Sequence, residues 1–247
     1  IYYMNSVNFG NNSNSAGDNS ISIGNSSSSL ENNSIAIGSL ANSNGINAIS
    51  IGVNSNSINN SISIGDNSKC NSNSSISFGY NSNTSNLNSI SIGDQSNSTG
   101  ENSISMGYHT LSTDTNSISI GDQAESSATN SIAMGYHSIC EDNNSIALGD
   151  TTSTTKEYGV SMGYNCNSNG KYSISIGVNS NSNSNNSIVI GNDCITDTNN
   201  NIKLGNSNHD IIYYNTNIKI NNYYPIPQKK HISFYNPQNG KIVFDGN

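Results

Sequence analysis

Fifteen glycines recur along this chain at a nearly constant interval: Gly10, Gly24, Gly38, Gly52, Gly65, Gly79, Gly93, Gly107, Gly121, Gly135, Gly149, Gly163, Gly177, Gly191 and Gly205. Each step is fourteen residues except the thirteen between Gly52 and Gly65, and most of the glycines close the phrase Asn-Ser-Ile-Ser-Ile-Gly or a close variant of it. A period sustained this long is the signature of a solenoid, in which each repeat packs only on its neighbours. Such a chain builds no single central core. It adds one thin layer at a time.

Composition agrees with thin layers. Hydrophobic residues are 32% and charged residues 10% of 247, against about 45–50% and about 25% in ordinary domains. Apolar content this low usually accompanies disorder, but disordered chains are highly charged and aperiodic. Residues 1–202 hold fourteen acids and three lysines, a net of −11; residues 203–247 hold five lysines and two acids, a net of +3. An acidic shaft repels phosphate backbones and anionic lipid, so no nucleic-acid partner is expected. No run reaches the roughly 20 apolar residues of a membrane-spanning helix, so no direct membrane insertion is expected in this segment. The chain begins at Ile1 inside repeat-like sequence, which reads as a fragment or processed product.

Within a rung, Asn19-Ser20-Ile21-Ser22-Ile23-Gly24 alternates apolar and small residues, the pattern of a strand, and glycine suits the corner that follows. Positions three and five after each glycine, from Ser27/Ser29 to Cys194/Thr196, are always Ala, Ser, Thr or Cys. This predicts a second strand with a small inward face, set against isoleucines that point inward from the first. The Asn-rich stretch that closes each turn suits left-handed corners, and the thirteen-residue interval places its missing residue there. The expected fold is therefore all-β, a parallel β-roll of about 14–15 rungs over residues 1–205, with a short irregular β module at 206–247 acting as cap or connector. The four cysteines, Cys70, Cys140, Cys166 and Cys194, fall in the small-residue slots and on non-adjacent rungs. They read as small buried side chains rather than disulfide or metal partners.

The residue between the two isoleucines is Ser22, Ala36, Ser50, Ser63, Ser77, Ser91, Ser105, Ser119, Ala133, Ala147, Ser161, Ser175 and Val189. If the isoleucines point inward, this column points outward, and its short side chains imply a close neighbour. It is the expected homotrimer interface, unless repeat duplication alone keeps it uniform. A second rhythm spans two rungs. The residue after glycine alternates Asp66, Tyr80, Asp94, Tyr108, Asp122, Tyr136, Asp150, Tyr164, while the residue before it alternates Ile or Leu with Met or Phe. Tyr80, Tyr108, His109, Tyr136, His137 and Tyr164 form a candidate recognition stripe. The competing reading is cross-rung packing and charge spacing.

The phrases Ser34-Ile35-Ala36-Ile37-Gly38, Ser131-Ile132-Ala133-Met134-Gly135 and Ser145-Ile146-Ala147-Leu148-Gly149, with small residues three and five places on, closely resemble the head repeat of trimeric autotransporter adhesins, the YadA-like head. The resemblance covers about residues 6–205. It implies a left-handed parallel β-roll, three chains side by side, and extracellular display for attachment to cells or surfaces through a protein or glycan ligand. The family's neck, coiled-coil stalk and membrane barrel have no counterpart here. The segments 211–214, 218–220, 223–227, 232–235 and 242–244 read instead as irregular strands.

Catalysis is not expected. His109, His137, His209 and His231 include no metal-spaced pair, and no Gly-x-Ser-x-Gly elbow or phosphate loop occurs. The acids of the stripe sit on alternate rungs rather than converging, so neither a glycosidase pair nor a calcium cage is expected, and no cofactor or metal is called for. The alternative to an adhesin head is a structural trimeric fibre of a virus, phage or appendage, on a virion rather than a cell surface, serving as a rigid rod. An ice-binding array would need repeated Thr-x-Thr, and only Thr152-Ser153-Thr154 supplies it.

Overall fold

A computed structural model describes residues 5–206, 232–234 and 242–244. The chain divides into two compact units, Ile1–Asn208 and His209–Asn247. In the first, three- to five-residue strands from Val7–Phe9 to Ile202–Leu204 form a 15-stranded parallel sheet. Two-residue strands from Asn14–Ser15 to Ile195–Thr196 form a 14-stranded parallel sheet. The strands alternate between sheets in chain order, so each rung contributes one strand to each. At about 4.8 Å per rung the first sheet runs roughly 67 Å. In the second unit, Ile232–Phe234 and Ile242–Phe244 pair antiparallel. The strands expected at 211–214, 218–220 and 223–227 lie outside the described residues.

Pairing is in register from rung to rung: Ile35 opposes Ile49, and Ile49 opposes Ile62 across the thirteen-residue interval. In the second sheet Asn42 opposes Asn56 and Asn56 opposes Lys69. The missing residue therefore falls in the corner between Ser57 and Ser61, and both strands of that rung stay intact, as the spacing predicted.

Three residues in each full rung hold positive φ. The repeat glycine does so at φ of 130–143° from Gly24 to Gly191, apart from two corner residues at φ of 48–60°, which are most often Asn. Asparagine adopts this backbone at low cost. Its side chain also bonds along the rod, as in Asn33→Asn47 (3.1 Å), Asn47→Asn60 (3.0 Å) and Asn116→Asn130 (2.9 Å). The glycines are required twice over, by φ and by space. A Cβ at Gly107 would stand 1.9 Å from the carbonyl oxygen of Gly121.

The inside of the roll reverses one expectation. The flanking isoleucines point outward and the residue between them points inward. Ser22, Ala36, Ser50, Ser63, Ser77, Ser91, Ser105, Ser119, Ala133, Ala147, Ser161, Ser175 and Val189 are all fully buried within a single chain. They are core and cannot form a trimer interface. The neighbour that keeps them small is the same chain's second strand. Four small side chains turn inward per rung: the one before the first isoleucine, the one between the two, and positions three and five after glycine. Ser20, Ser22, Ser27 and Ser29 are one such set. The roll is too thin for isoleucine, and Val189 is its largest fully buried side chain.

A core of serines is stable only if its hydroxyls are paired. Two repeated bonds achieve this. Ser22 bonds Ser27 (2.8 Å), Ser63 bonds Ser68 (2.6 Å) and Ser91 bonds Ser96 (2.7 Å) across the glycine corner. Ser29 bonds Ser34 (2.6 Å) and Ser98 bonds Ser103 (2.6 Å) across the other corner. The second member also donates to a carbonyl three residues back, as Ser103 does to Gly100 (2.7 Å). Cys70, Cys140, Cys166 and Cys194 are buried free thiols in the same columns. Burial pushes the Cys70 and Cys140 thiols above their ordinary range.

Candidate functional site

Because the core is built from small residues, the large side chains of the rod line its outside. On the first sheet, the two isoleucine positions form continuous columns, pairing Ile104 with Ile118 and Met106 with Ile120. Five-residue strands carry the alternation past glycine. Leu148 and Asp150 share one face, opposite Met162 and Tyr164 in register. The Asp/Tyr column thus borders the apolar columns, and the two-rung rhythm belongs to one outer surface. Phe78, Met106, Met134 and Met162 are exposed, as are Tyr80, Tyr108, Tyr136 and Tyr164 at 46–53% of their surface.

Beyond the tyrosines the chain turns into the second sheet. His109 and His137 occupy left-handed corners, at φ 52° and 49°, where neighbouring rungs mostly carry Asn or Gln. Each packs on the preceding tyrosine ring at a centroid distance of 4.3 Å. The two Tyr-His pairs are two rungs apart. The rung between them contributes Gln123 and Glu125, and Leu111 and Ile139 close the second-sheet side. Together, Tyr108, His109, Leu111, Gln123, Glu125, His137 and Ile139 line an open groove of about 560 Å³. Of the stripe residues, the structure brings Tyr108, His109 and His137 into this groove, with Tyr136 against His137. Tyr80 and Tyr164 stand outside it.

A second aromatic feature was missed by sequence reasoning. Tyr158 and Tyr172 lie on adjacent rungs at the other left-handed corner, at φ 60° and 57°. Their rings stack at 4.9 Å with 10° between planes. Glu157 and Lys171 pair beside them at 2.6 Å, and Lys171 lies 5.2 Å from the centre of the Tyr172 ring. Glu157 holds the Lys171 ammonium above the usual lysine range. The available signal was phase, since Tyr replaces the customary Asn at the same point in two successive rungs.

Among the described residues no three His, Cys, Asp or Glu side chains converge to hold a metal ion, and no helix is long and apolar enough to cross a membrane. What the surface offers is a long apolar strip repeated rung by rung and, beside it, one groove lined by aromatic rings and a carboxylate. The fold that carries them is a parallel β-solenoid of two-strand rungs.

The chain belongs to the family of YadA head domain repeats. The two-copy repeat of that family matches residues 5–27, 31–55, 59–82, 85–110, 113–138, 143–165 and 168–193, well over half the chain. It is a YadA-like trimeric autotransporter adhesin head, a class displayed extracellularly on surfaces, and this match does not favour a virion fibre. The crystal structure of the collagen-binding domain of the Yersinia adhesin YadA is similar at 18% identity and a TM-score of 0.30, over 90% of this chain and 93% of that one. No curated protein sequence matches the chain.

Proposed function

We propose that this rod is the ligand-presenting head of a homotrimer, joined through the outer face of its first sheet and used for attachment to cells or surfaces. The observation that carries this reading is the pair of outward isoleucine columns. They run about 67 Å and are about 10 Å wide, an apolar strip of roughly 700 Å². Soluble monomers rarely leave so large a contiguous patch open, and it approaches the roughly 800 Å² per partner of a stable interface. Three copies around an axis would cover the strip and leave the second sheet and its groove facing solvent.

Two measurements test the reading separately. Light scattering of the full chain should give a trimer, and Ile104→Lys with Ile118→Lys should dissociate it while the circular dichroism of the rod persists. A stable monomer at micromolar concentration refutes the interface. Beads coated with the trimer should attach to cultured cells or matrix-coated plates more than uncoated beads do. Equal attachment refutes the adhesive role.

A further inference from the structure

The attachment reading leaves open what the outer face holds, and the groove at Tyr108, His109, Gln123, Glu125 and His137 narrows it. We infer that this groove binds an extended, lysine- or arginine-bearing segment of a partner protein. The inference rests on the adhesin reading and names its ligand class.

Its walls are aromatic: the Tyr108 and His109 rings on one rung, and His137 two rungs on. Rings of this kind present faces to a cation and to the methylenes beneath it. Its floor carries one carboxylate, Glu125, half-buried and without an ion-pair or hydrogen-bond partner for its side chain among the described residues. The amide of Gln123 adds a donor and an acceptor suited to a passing main chain.

The setting selects the sign of the ligand. Between residues 70 and 155, about six rungs, the sequence has eight acids and no lysine or arginine. Lysine returns only at Lys69 and Lys156. A basic segment entering the groove therefore meets attraction from every neighbouring rung and competition from no resident cation. A second groove of about 630 Å³, formed around Leu40, Asn42, Asn56 and Lys69, has the same open form but no aromatic ring or carboxylate and includes a lysine. It is the internal contrast. Similar volume without rings or acid gives a cation nothing to hold.

The test uses the full chain and a fluorescein-labelled peptide of alternating Lys and Gly, with anisotropy as the readout. A Glu/Gly peptide and a neutral chitin oligosaccharide serve as comparison probes. The Lys/Gly peptide should bind saturably, and the other two should not. Tyr108→Ser combined with Glu125→Gln should weaken binding about tenfold, the combined loss of a cation–ring contact and an ion pair. Glu101→Gln, which removes the same charge outside the groove, should change it less than twofold. Gln123→Lys, which keeps the rings and Glu125 but places a cation among them, should also weaken it. Equal loss in the groove and Glu101 variants would reduce the effect to diffuse charge and overturn the inference. Binding of the oligosaccharide in place of the peptide would overturn it in favour of a glycan. Unimpaired bead attachment by trimeric groove variants would refute the groove as the adhesive site while leaving the adhesin reading in place.

Discussion

Replacing Gly107 by alanine tests the glycine ladder most directly. Gly107 sits at φ 137°, a region that side chains with a Cβ rarely enter, and placing alanine there costs about 1–3 kcal/mol. The new Cβ would lie 1.9 Å from the Gly121 carbonyl oxygen, so the next rung must retreat by at least 1.1 Å to reach 3.0 Å. The Gly121 amide bonds the Met106 carbonyl at 2.9 Å. The same retreat would stretch that bond beyond hydrogen-bonding distance, adding roughly 1–1.5 kcal/mol. The total is about 2–4.5 kcal/mol. Gly159 is the control: it has no positive φ, and it stands where other rungs carry Ser145 and Ser173. A Cβ there approaches nothing closer than 3.0 Å, and Gly159→Ala should fall within about 1 kcal/mol of the parent, with reduced unfolded-state entropy on its side. Urea unfolding at fixed protein concentration, followed by circular dichroism, should move the midpoint down by about 1–2 M for Gly107→Ala. Hydrogen exchange should place the lost protection between the rungs of Met106 and Gly121, since each rung contacts only its neighbours. If the two alanine variants unfold alike, the ladder is not set by space and φ, and the account of the corner is wrong.

The core admits three further tests. Ser119→Leu puts a large side chain where the repeat takes nothing above Val189 in size and should cost about 3 kcal/mol in urea unfolding, whereas Ile118→Thr, on the outer face, should weaken trimerisation in light scattering and leave the rung folded. Thr110 holds a buried hydroxyl oxygen without a partner among the described residues, because Ser105 donates instead to the Asn97 carbonyl at 2.7 Å; Thr110→Val should therefore raise stability by about 1 kcal/mol. The thiols of Cys70 and Cys140 should resist iodoacetamide in the native rod and react once urea unfolds it. Their folded pKa is raised by burial, so the native state retains protons that the unfolded chain releases. Their contribution to stability should be complete below the ordinary thiol pKa of about 8.5 and decline as pH rises above it, and replacing both with Ser should flatten that decline.

The period alone carried the architecture. Glycines fourteen residues apart, strand alternation before them and small residues three and five places after them specify a stack of parallel two-strand rungs. The one-residue deletion could be placed in a corner because both flanking strands keep their phrases. The cysteines could be assigned to the core because they replace Ser and Ala in fixed columns. Orientation was beyond the reach of the pattern. Ile-Ser-Ile alternates with period two, and period two is satisfied with either face inward. Ordinary burial favours isoleucine inside, but the width of the roll decides otherwise. That width is set by the opposing strand, whose small side chains leave room only for serine, alanine, threonine, cysteine or valine. Hydroxyl pairs such as Ser63 with Ser68 then remove the cost of a polar interior. Likewise, the sequence shows tyrosine and histidine on alternate rungs, while only the folded corner sets His109, Glu125 and His137 around one groove. Sequence periodicity determines which residues recur together, and the thickness of the folded layer determines which of them meet water, each other or another chain.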